Sequence, residues 1–189
     1  MIAFFTEHSF LFAQILGFCA IFTMMLTYQF KKHKTIMLLL VACSLLWCFH
    51  FTILGKPTAV ALNAINLIRC VIYSFKSKKN WNGKLIPIIF IVVSVISTVL
   101  TWENAWSILP LVGGVFTTCA NWQSDTKRLK LLTLPVCGCW FTYNTVNSSY
   151  AGMINESIAV ISILVYLIRT RKTTKKESGD ALCQENTPV

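Results

Sequence analysis

Two neighbouring apolar runs carry polar and aromatic side chains of types that bind solutes or move protons. The stretch over residues 45–70 reads LLWCFHFTILGKPTAVALNAINLIRC and turns at Gly55-Lys56-Pro57. Its polar and aromatic candidates are Trp47, His50, Asn63, Asn66 and Arg69. An indole can stack on a solute, an amide offers both hydrogen-bond donors and acceptors, and an imidazole suits a proton relay. This stretch therefore holds groups that a purely lipid-facing hairpin does not need.

The composition indicates that these runs lie in a membrane. Hydrophobic residues make up 55% of the 189 and charged residues only 13%, whereas soluble domains are about a quarter charged. Most of the eight Cys lie in apolar runs, where Cys behaves as a small hydrophobe. Cys137 and Cys139 form a C-x-C pair without a second pair or a nearby His, so we expect no disulfide framework, no metal site and no cofactor.

Apolar runs separated by turns and charges predict an all-α membrane protein with seven transmembrane helices. The predicted spans cover roughly 9–29, 35–54, 58–75, 85–102, 105–122, 130–146 and 151–168. We expect residues 1–169 to form one transmembrane domain. Residues 170–189 are almost without apolar side chains and are predicted to form a disordered cytoplasmic tail.

The basic residues indicate the orientation of the chain. Fifteen of the seventeen Lys and Arg follow the first, third, fifth or seventh span, while Lys56 lies on the other side and Arg69 within a span. Because basic loops stay in the cytoplasm, the N-terminus is predicted outside and the C-terminus inside. Topology and anionic lipids thus account for the net charge of +10, so we expect lipid contacts and no nucleic-acid partner.

An internal repeat relates the two halves of the chain. A shift of 93 residues places Trp47 on Trp140, His50 on Tyr143 and Asn63 on Glu156 without a gap. We therefore predict two parallel three-helix repeats, at about 9–76 and 105–169, joined by an inverting linker helix at about 85–102. In such a 3+1+3 arrangement, equivalent residues face each other near the centre at similar depth.

The repeat predicts a central site in the outer half of the bilayer. The predicted substrate-binding residues are Trp47, His50, Asn63, Trp140, Tyr143, Asn155 and Glu156. Glu156 is the most informative of these, because a carboxylate within a span is costly and usually faces a cavity or a partner. Its alternative explanation is solvation in a mouth near the outer interface.

The other candidates also have structural explanations. Arg69 either contributes to a cytoplasmic gate or extends its charge to the interface, as long basic side chains do. Asn66 suits a hydrogen bond between helices, and a lone His50 near an interface is more often structural than a proton relay. Trp47 and Trp140 either stack on a solute or simply pack.

The layout and its motifs resemble known families. A 3+1+3 arrangement with an outside N-terminus is similar to that of the SWEET and PQ-loop (MtN3-like) transporters, which implies a solute pocket lined by aromatic and Asn residues. A closer resemblance is to the YgjV-type bacterial inner-membrane proteins. It covers roughly residues 9–172 and is carried by the stretch SLLWCFHFTILGKPTAVALNAINLIR. The Pro-Gln pair of the PQ-loop group is absent, since Tyr28-Gln29 and Trp122-Gln123 keep only the Gln. Pro110 and Pro135 lie in the second copy, whereas the first two helices of the first copy contain no proline.

These features predict a multi-pass bacterial inner-membrane protein that carries a small polar solute between its repeats. The alternative is a non-transporting receptor or assembly partner built on the same scaffold. We expect no enzyme, because no nucleophile–base pair, paired carboxylates or phosphate-binding glycine loop stands out. The sequence leaves open whether the chain forms homo-oligomers.

Overall fold

Every regular element in the described part of the chain is helical. A computed structural model describes residues 8–27, 33–79, 85–123 and 125–185, and side chains over 8–26, 38–73, 85–123 and 125–170. Tyr28-Gln29, the basic side chains of 31–34 and 76–84, and residues 186–189 lie outside these described residues.

Seven α-helices follow one another in the described part of the chain, as predicted. They are α1 (Ser9–Thr27), α2 (His33–Ile53), α3 (Pro57–Lys79), α4 (Leu85–Leu100), α5 (Ile108–Trp122), α6 (Thr126–Val146) and α7 (Tyr150–Glu185). A 3₁₀ turn over Ala105–Ser107 precedes α5. The expectation of an all-α protein with seven helices is confirmed.

Helix α7 is longer than its predicted span. It continues to Glu185 and so enters the segment 170–189, for which the sequence predicts disorder. Lys, Arg and Glu are good helix formers, and extending an existing helix avoids the cost of nucleation. The structure therefore differs from the predicted tail over residues 171–185.

Local signals explain several helix ends. Pro57 occupies the first position of α3, where its fixed φ suits a helix and its missing N–H is not needed. Gly55 precedes it with a φ of +66°, a left-handed conformation that suits glycine. Asp125 caps α6 by accepting a hydrogen bond from the backbone N–H of Lys127.

Each helix packs against the next, and two further contacts bring distant parts of the chain together. Helix α3 contacts α5, and α7 returns to contact α1. Small residues allow a close approach at such contacts. A Cβ added at Gly17 in α1 would meet the side chains of Ala151 in α7 and His50 in α2, so a larger residue would separate these three helices.

The exposed surface of α4 is more apolar than its buried face. Its buried residues are Pro87, Phe90, Ser94 and Thr98. Its exposed residues are Leu85, Ile88, Ile89, Val92, Val93, Val95, Ile96, Val99 and Leu100. A helix on the surface of a soluble protein has the reverse pattern. An apolar environment such as lipid therefore suits α4.

Among the described residues, two segments are both long enough and apolar enough to cross a bilayer by themselves. These are Ser9–Leu26 in α1 and Tyr150–Thr170 in α7. Shorter apolar segments lie at Leu38–Ile53, Pro57–Tyr73 and Leu85–Leu100.

Candidate functional site

The predicted aromatic residues meet around Phe51. Both Trp47 and Trp140 contact its ring, with centroid distances of 5.9 and 6.0 Å. Tyr143 lies 6.3 Å from the same ring and 5.9 Å from Trp140. Phe51 and Tyr143 are almost fully buried, and Ala59 completes their contact. We call Trp47, Phe51, Trp140 and Tyr143 the aromatic cluster; Phe51, which the sequence analysis did not select, lies at its centre.

His50 is fully buried beside this cluster and connects three helices. Its Nδ1 lies 2.6 Å from the backbone carbonyl of Ala13 in α1, and its Nε2 lies 2.8 Å from Oγ of Ser149. A carbonyl can only accept, so Nδ1 carries the proton and Nε2 accepts from the Ser149 hydroxyl. Both ring nitrogens are therefore satisfied by neighbours within the bundle.

The structure brings a hydroxyl and an imidazole together at Ser149 and His50, a pair that does not stand out in the sequence. Serine hydrolases use the same contact, with a third group that orients the His. Here the third group is the carbonyl of Ala13, and the Ser149 hydroxyl is fully buried where α7 begins. A substrate has no access to this hydroxyl, so the pair is a structural link.

Gln14 strengthens the same link. Its Nε2 donates to the backbone carbonyl of Ser148, and its Oε1 accepts from the backbone N–H of Ala151, each at 3.1 Å. One side chain of α1 thus satisfies both a loop carbonyl and a backbone N–H in the first turn of α7. The sequence analysis missed Gln14, although a polar residue within an apolar helix is a signal for such a contact.

The amides of the predicted site bond within their own helices. Nδ2 of Asn63 donates to the backbone carbonyl of Ala59 one turn earlier, at 2.9 Å. Nδ2 of Asn155 donates to Oε1 of Glu156 at 3.0 Å. Neither amide reaches across to another helix through these bonds.

Glu156 lines a cleft of about 400 Å³ between α6 and α7. The cleft is lined by Cys137, Gly138, Phe141, Thr142, Glu156, Ser157, Val160 and Ile161. Several of these residues, including Phe141 and Ile161, are exposed, so the cleft reaches the outer surface of the bundle. Trp47, Asn63 and Trp140 are not among its lining residues. Trp47, Trp140 and Tyr143 thus lie in the aromatic cluster and Glu156 lies in the cleft, while Asn63 belongs to neither region.

Arg69 is the one buried cation among the described side chains, with 2% of its surface exposed. Its Nη1 donates to the backbone carbonyl of Gly114 at 3.2 Å and to Oγ1 of Thr118 at 2.6 Å. Its Nη2 donates to Oδ1 of Asn66 at 2.6 Å. The guanidinium thus points into the bundle and joins α3 to α5.

The charge of Arg69 has no carboxylate partner among the described residues. The ion pairs there join Lys56 to Glu103 and Arg128 to Asp125. The Nε of Arg69 also lacks a hydrogen-bond partner in this part of the structure. Burying a charge costs several kcal/mol unless it is paired, so this position needs an explanation beyond packing.

Thr118 is the residue of this region that the sequence analysis did not select. Its hydroxyl donates to the carbonyl of Gly114 while its oxygen accepts from Arg69. The sequence separation of 49 between Arg69 and Thr118 hides this contact from local patterns.

Among the described side chains, no three His, Cys, Asp or Glu lie close enough to hold a metal ion.

Comparison with known proteins identifies a family for this chain. No curated protein and no solved structure matches it. A family model described as bacterial inner membrane protein, Imp-YgjV, matches residues 11–174, which cover five of the seven helices in full and most of α1 and α7. The chain therefore belongs to the Imp-YgjV family of bacterial inner membrane proteins.

Proposed function

We propose that the protein is a multi-pass carrier that moves a small polar solute across the inner membrane. The observation that carries this proposal is Arg69, a buried cation in the interior of the bundle without a carboxylate partner in the described residues. Ionisable groups within membrane segments are costly and commonly mark solute or ion pathways. Arg69 also connects α3 to α5, which belong to different halves of the chain.

The proposal includes seven membrane spans with the N-terminus outside and the C-terminus in the cytoplasm. Helix α4 is shorter than the two longest apolar segments, so its surface is the evidence for a lipid environment. Its exposed side chains are aliphatic, while Ser94 and Thr98 are buried. The distribution of basic residues supports the orientation. Reporter domains fused after α4 and after α7 would test it, since α4 should end outside and α7 inside.

We further propose that the two halves are parallel repeats around a central path. Burial at positions 93 residues apart supports this: His50 and Tyr143 are both buried, and so are Phe51 and Asn144. Ala59 and Gly152, also 93 apart, are buried too. In the parallel repeats of other transporters, solute sites lie between the halves near the midplane.

Flux in proteoliposomes tests the carrier proposal. We expect uptake of at least one class among sugars, amino acids, carboxylates and inorganic ions, with loss of uptake in Arg69→Gln. Arg169→Gln removes the same charge from an exposed position of α7 and should transport normally. Absence of flux for every class, in protein that remains folded, would contradict a carrier and favour a receptor or assembly partner.

The proposal assigns no catalytic step to the chain. Ser149 and His50 form the contact that most resembles catalytic chemistry, and both side chains are fully buried. A fluorophosphonate that labels activated serines should therefore leave Ser149 unmodified. Labelling of Ser149 would contradict the carrier proposal and support a hydrolase.

A further inference from the structure

We propose that Arg69 and Tyr73 together bind a small oxyanion of single charge inside the bundle. This inference rests on the proposed carrier function and names the class of its solute. The two residues lie four apart on α3, so their side chains share one face of the helix. Each carries a buried hydrogen-bonding atom without a partner in the described part of the protein: Nε of Arg69 and the hydroxyl of Tyr73.

The hydrogen-bond count of Arg69 shows what its ligand must supply. A guanidinium has five N–H donors, and three bonds to Gly114, Thr118 and Asn66 occupy its two terminal nitrogens. Those three acceptors are neutral, so they satisfy donors without compensating the charge. Two of the five N–H donors therefore remain, and one of them is on Nε. An anionic oxygen at Nε would accept from this donor and neutralise the guanidinium at the same time.

Tyr73 supplies the second donor of the proposed site. Its ring is held by edge contacts with Phe90 and Trp122, at centroid distances of 5.7 and 5.1 Å. These contacts fix the position of the phenol, although its hydroxyl makes no hydrogen bond to any described residue. A buried hydroxyl that is left unpaired is destabilising. An oxyanion bound to Arg69 would offer this hydroxyl its missing acceptor.

The charge and the surroundings select the class of anion. Arg69 is the one buried cation among the described side chains, so a single negative charge balances the site. A dianion would leave one charge uncompensated in a region bordered by aromatic rings, which is unfavourable. We therefore expect a carboxylate of a small solute to bind better than a dicarboxylate or divalent phosphate.

Thermal unfolding of the purified full-length protein in detergent tests this site. Acetate is the probe, and succinate and phosphate are compared with it at constant ionic strength. A ligand that binds only the folded state raises the unfolding temperature in a saturable manner. We expect acetate to do so, succinate and phosphate to act more weakly, and Arg69→Gln to lose the response.

Tyr73→Phe provides a variant that should fold normally, since it removes a hydroxyl without a partner. It should weaken acetate binding by about tenfold, which corresponds to the loss of one hydrogen bond to a charged group. Tyr166→Phe, 93 residues further along, is its matched control and should bind like wild type. An anionic lipid, phosphatidylglycerol, is added separately; protection by this lipid alone would assign the anion to a headgroup and overturn a solute site.

The outcomes separate this inference from the carrier proposal. Saturable acetate binding that needs Arg69 and Tyr73, without any flux, would support the site and contradict the carrier. Flux that survives Arg69→Gln would support a carrier and overturn the site. No saturable response in wild type, or equal responses in wild type, Tyr73→Phe and Arg69→Gln, would show that these donors do not bind an oxyanion.

Discussion

Nε2 of His50 lies 2.8 Å from Oγ of Ser149, although 99 residues separate them in the chain. The other ring nitrogen of His50 bonds to Ala13, so one imidazole joins α1, α2 and the start of α7. A polar side chain that is fully buried and fully bonded specifies a unique packing arrangement. His50 therefore holds the first half of the chain against the last helix.

Replacing His50 tests this link. His50→Ala should lower the free energy of unfolding by about 2–4 kcal/mol, because it leaves two buried polar partners unpaired and opens a cavity. Ser149→Ala removes one hydrogen bond between helices and should cost roughly 0.6 kcal/mol, the average for such bonds in membranes. Unfolding in mixed micelles with increasing denaturing detergent measures both.

Ser157→Ala is the control for this pair, because Ser157 is exposed and bonds to the carbonyl of Met153 in its own helix. Its stability should match wild type. A His50→Ala variant as stable as Ser157→Ala would contradict a structural role for His50.

Close helix contacts give a second prediction, with three glycines for comparison. Gly17→Ala and Gly152→Ala should each destabilise the protein by about 1–3 kcal/mol through overpacking. A Cβ at Gly17 would overlap Ala151, and a Cβ at Gly152 would overlap the amide of Asn144. Gly138→Ala meets no atom within 4 Å and should be neutral or slightly stabilising, since Ala favours a helix. Equal stability of the three variants would contradict these contacts.

Sequence patterns predicted the seven helices because the length of an apolar run and the position of basic loops are local features. They could not assign the partners of Arg69, since Gly114 and Thr118 lie 45 and 49 residues away. The prediction that α7 ends before residue 170 rests on apolarity alone, whereas the helix continues through a polar segment to Glu185.

The predicted site also has a part that sequence patterns indicate and a part that they do not. The shift of 93 residues placed Trp47 and Trp140 at similar depth, and both contact Phe51. Equal depth does not specify which way a side chain faces. Glu156 faces α6 beside Cys137 and does not line the aromatic cluster. Helix rotation depends on packing with neighbours, which a single sequence does not encode in any short pattern.

Glu156 gives a third prediction, based on its access to the surface. Its cleft includes exposed residues such as Phe141 and Ile161. A hydrophobic carbodiimide dissolved in the bilayer should therefore modify Glu156, and mass spectrometry of the peptide would measure the product. Glu156→Gln should lose the modification at this position.

Glu103 is the internal comparison for this experiment, because it is paired with Lys56 where α2 and α3 meet. Its modification should be slower than that of Glu156. Modification of Glu103 with Glu156 unmodified would show that the cleft is closed to the lipid.

The pair of Lys56 and Glu103 gives the last prediction. Nζ of Lys56 lies 3.4 Å from Oε2 of Glu103, and both side chains are about four-fifths buried. Two residues after Lys56, the hydroxyl of Thr58 donates to the backbone carbonyl of Thr101, so the start of α3 is joined to the end of α4. Partial burial strengthens the attraction beyond that of a fully exposed pair, for which about 0–1 kcal/mol is typical.

Lys56→Glu and Glu103→Lys should each lower stability by about 1 kcal/mol or more, because each places two like charges together. The double variant exchanges the two charges and should recover most of the loss, which a double-mutant cycle in mixed micelles measures. Additive losses in the double variant would contradict a direct interaction.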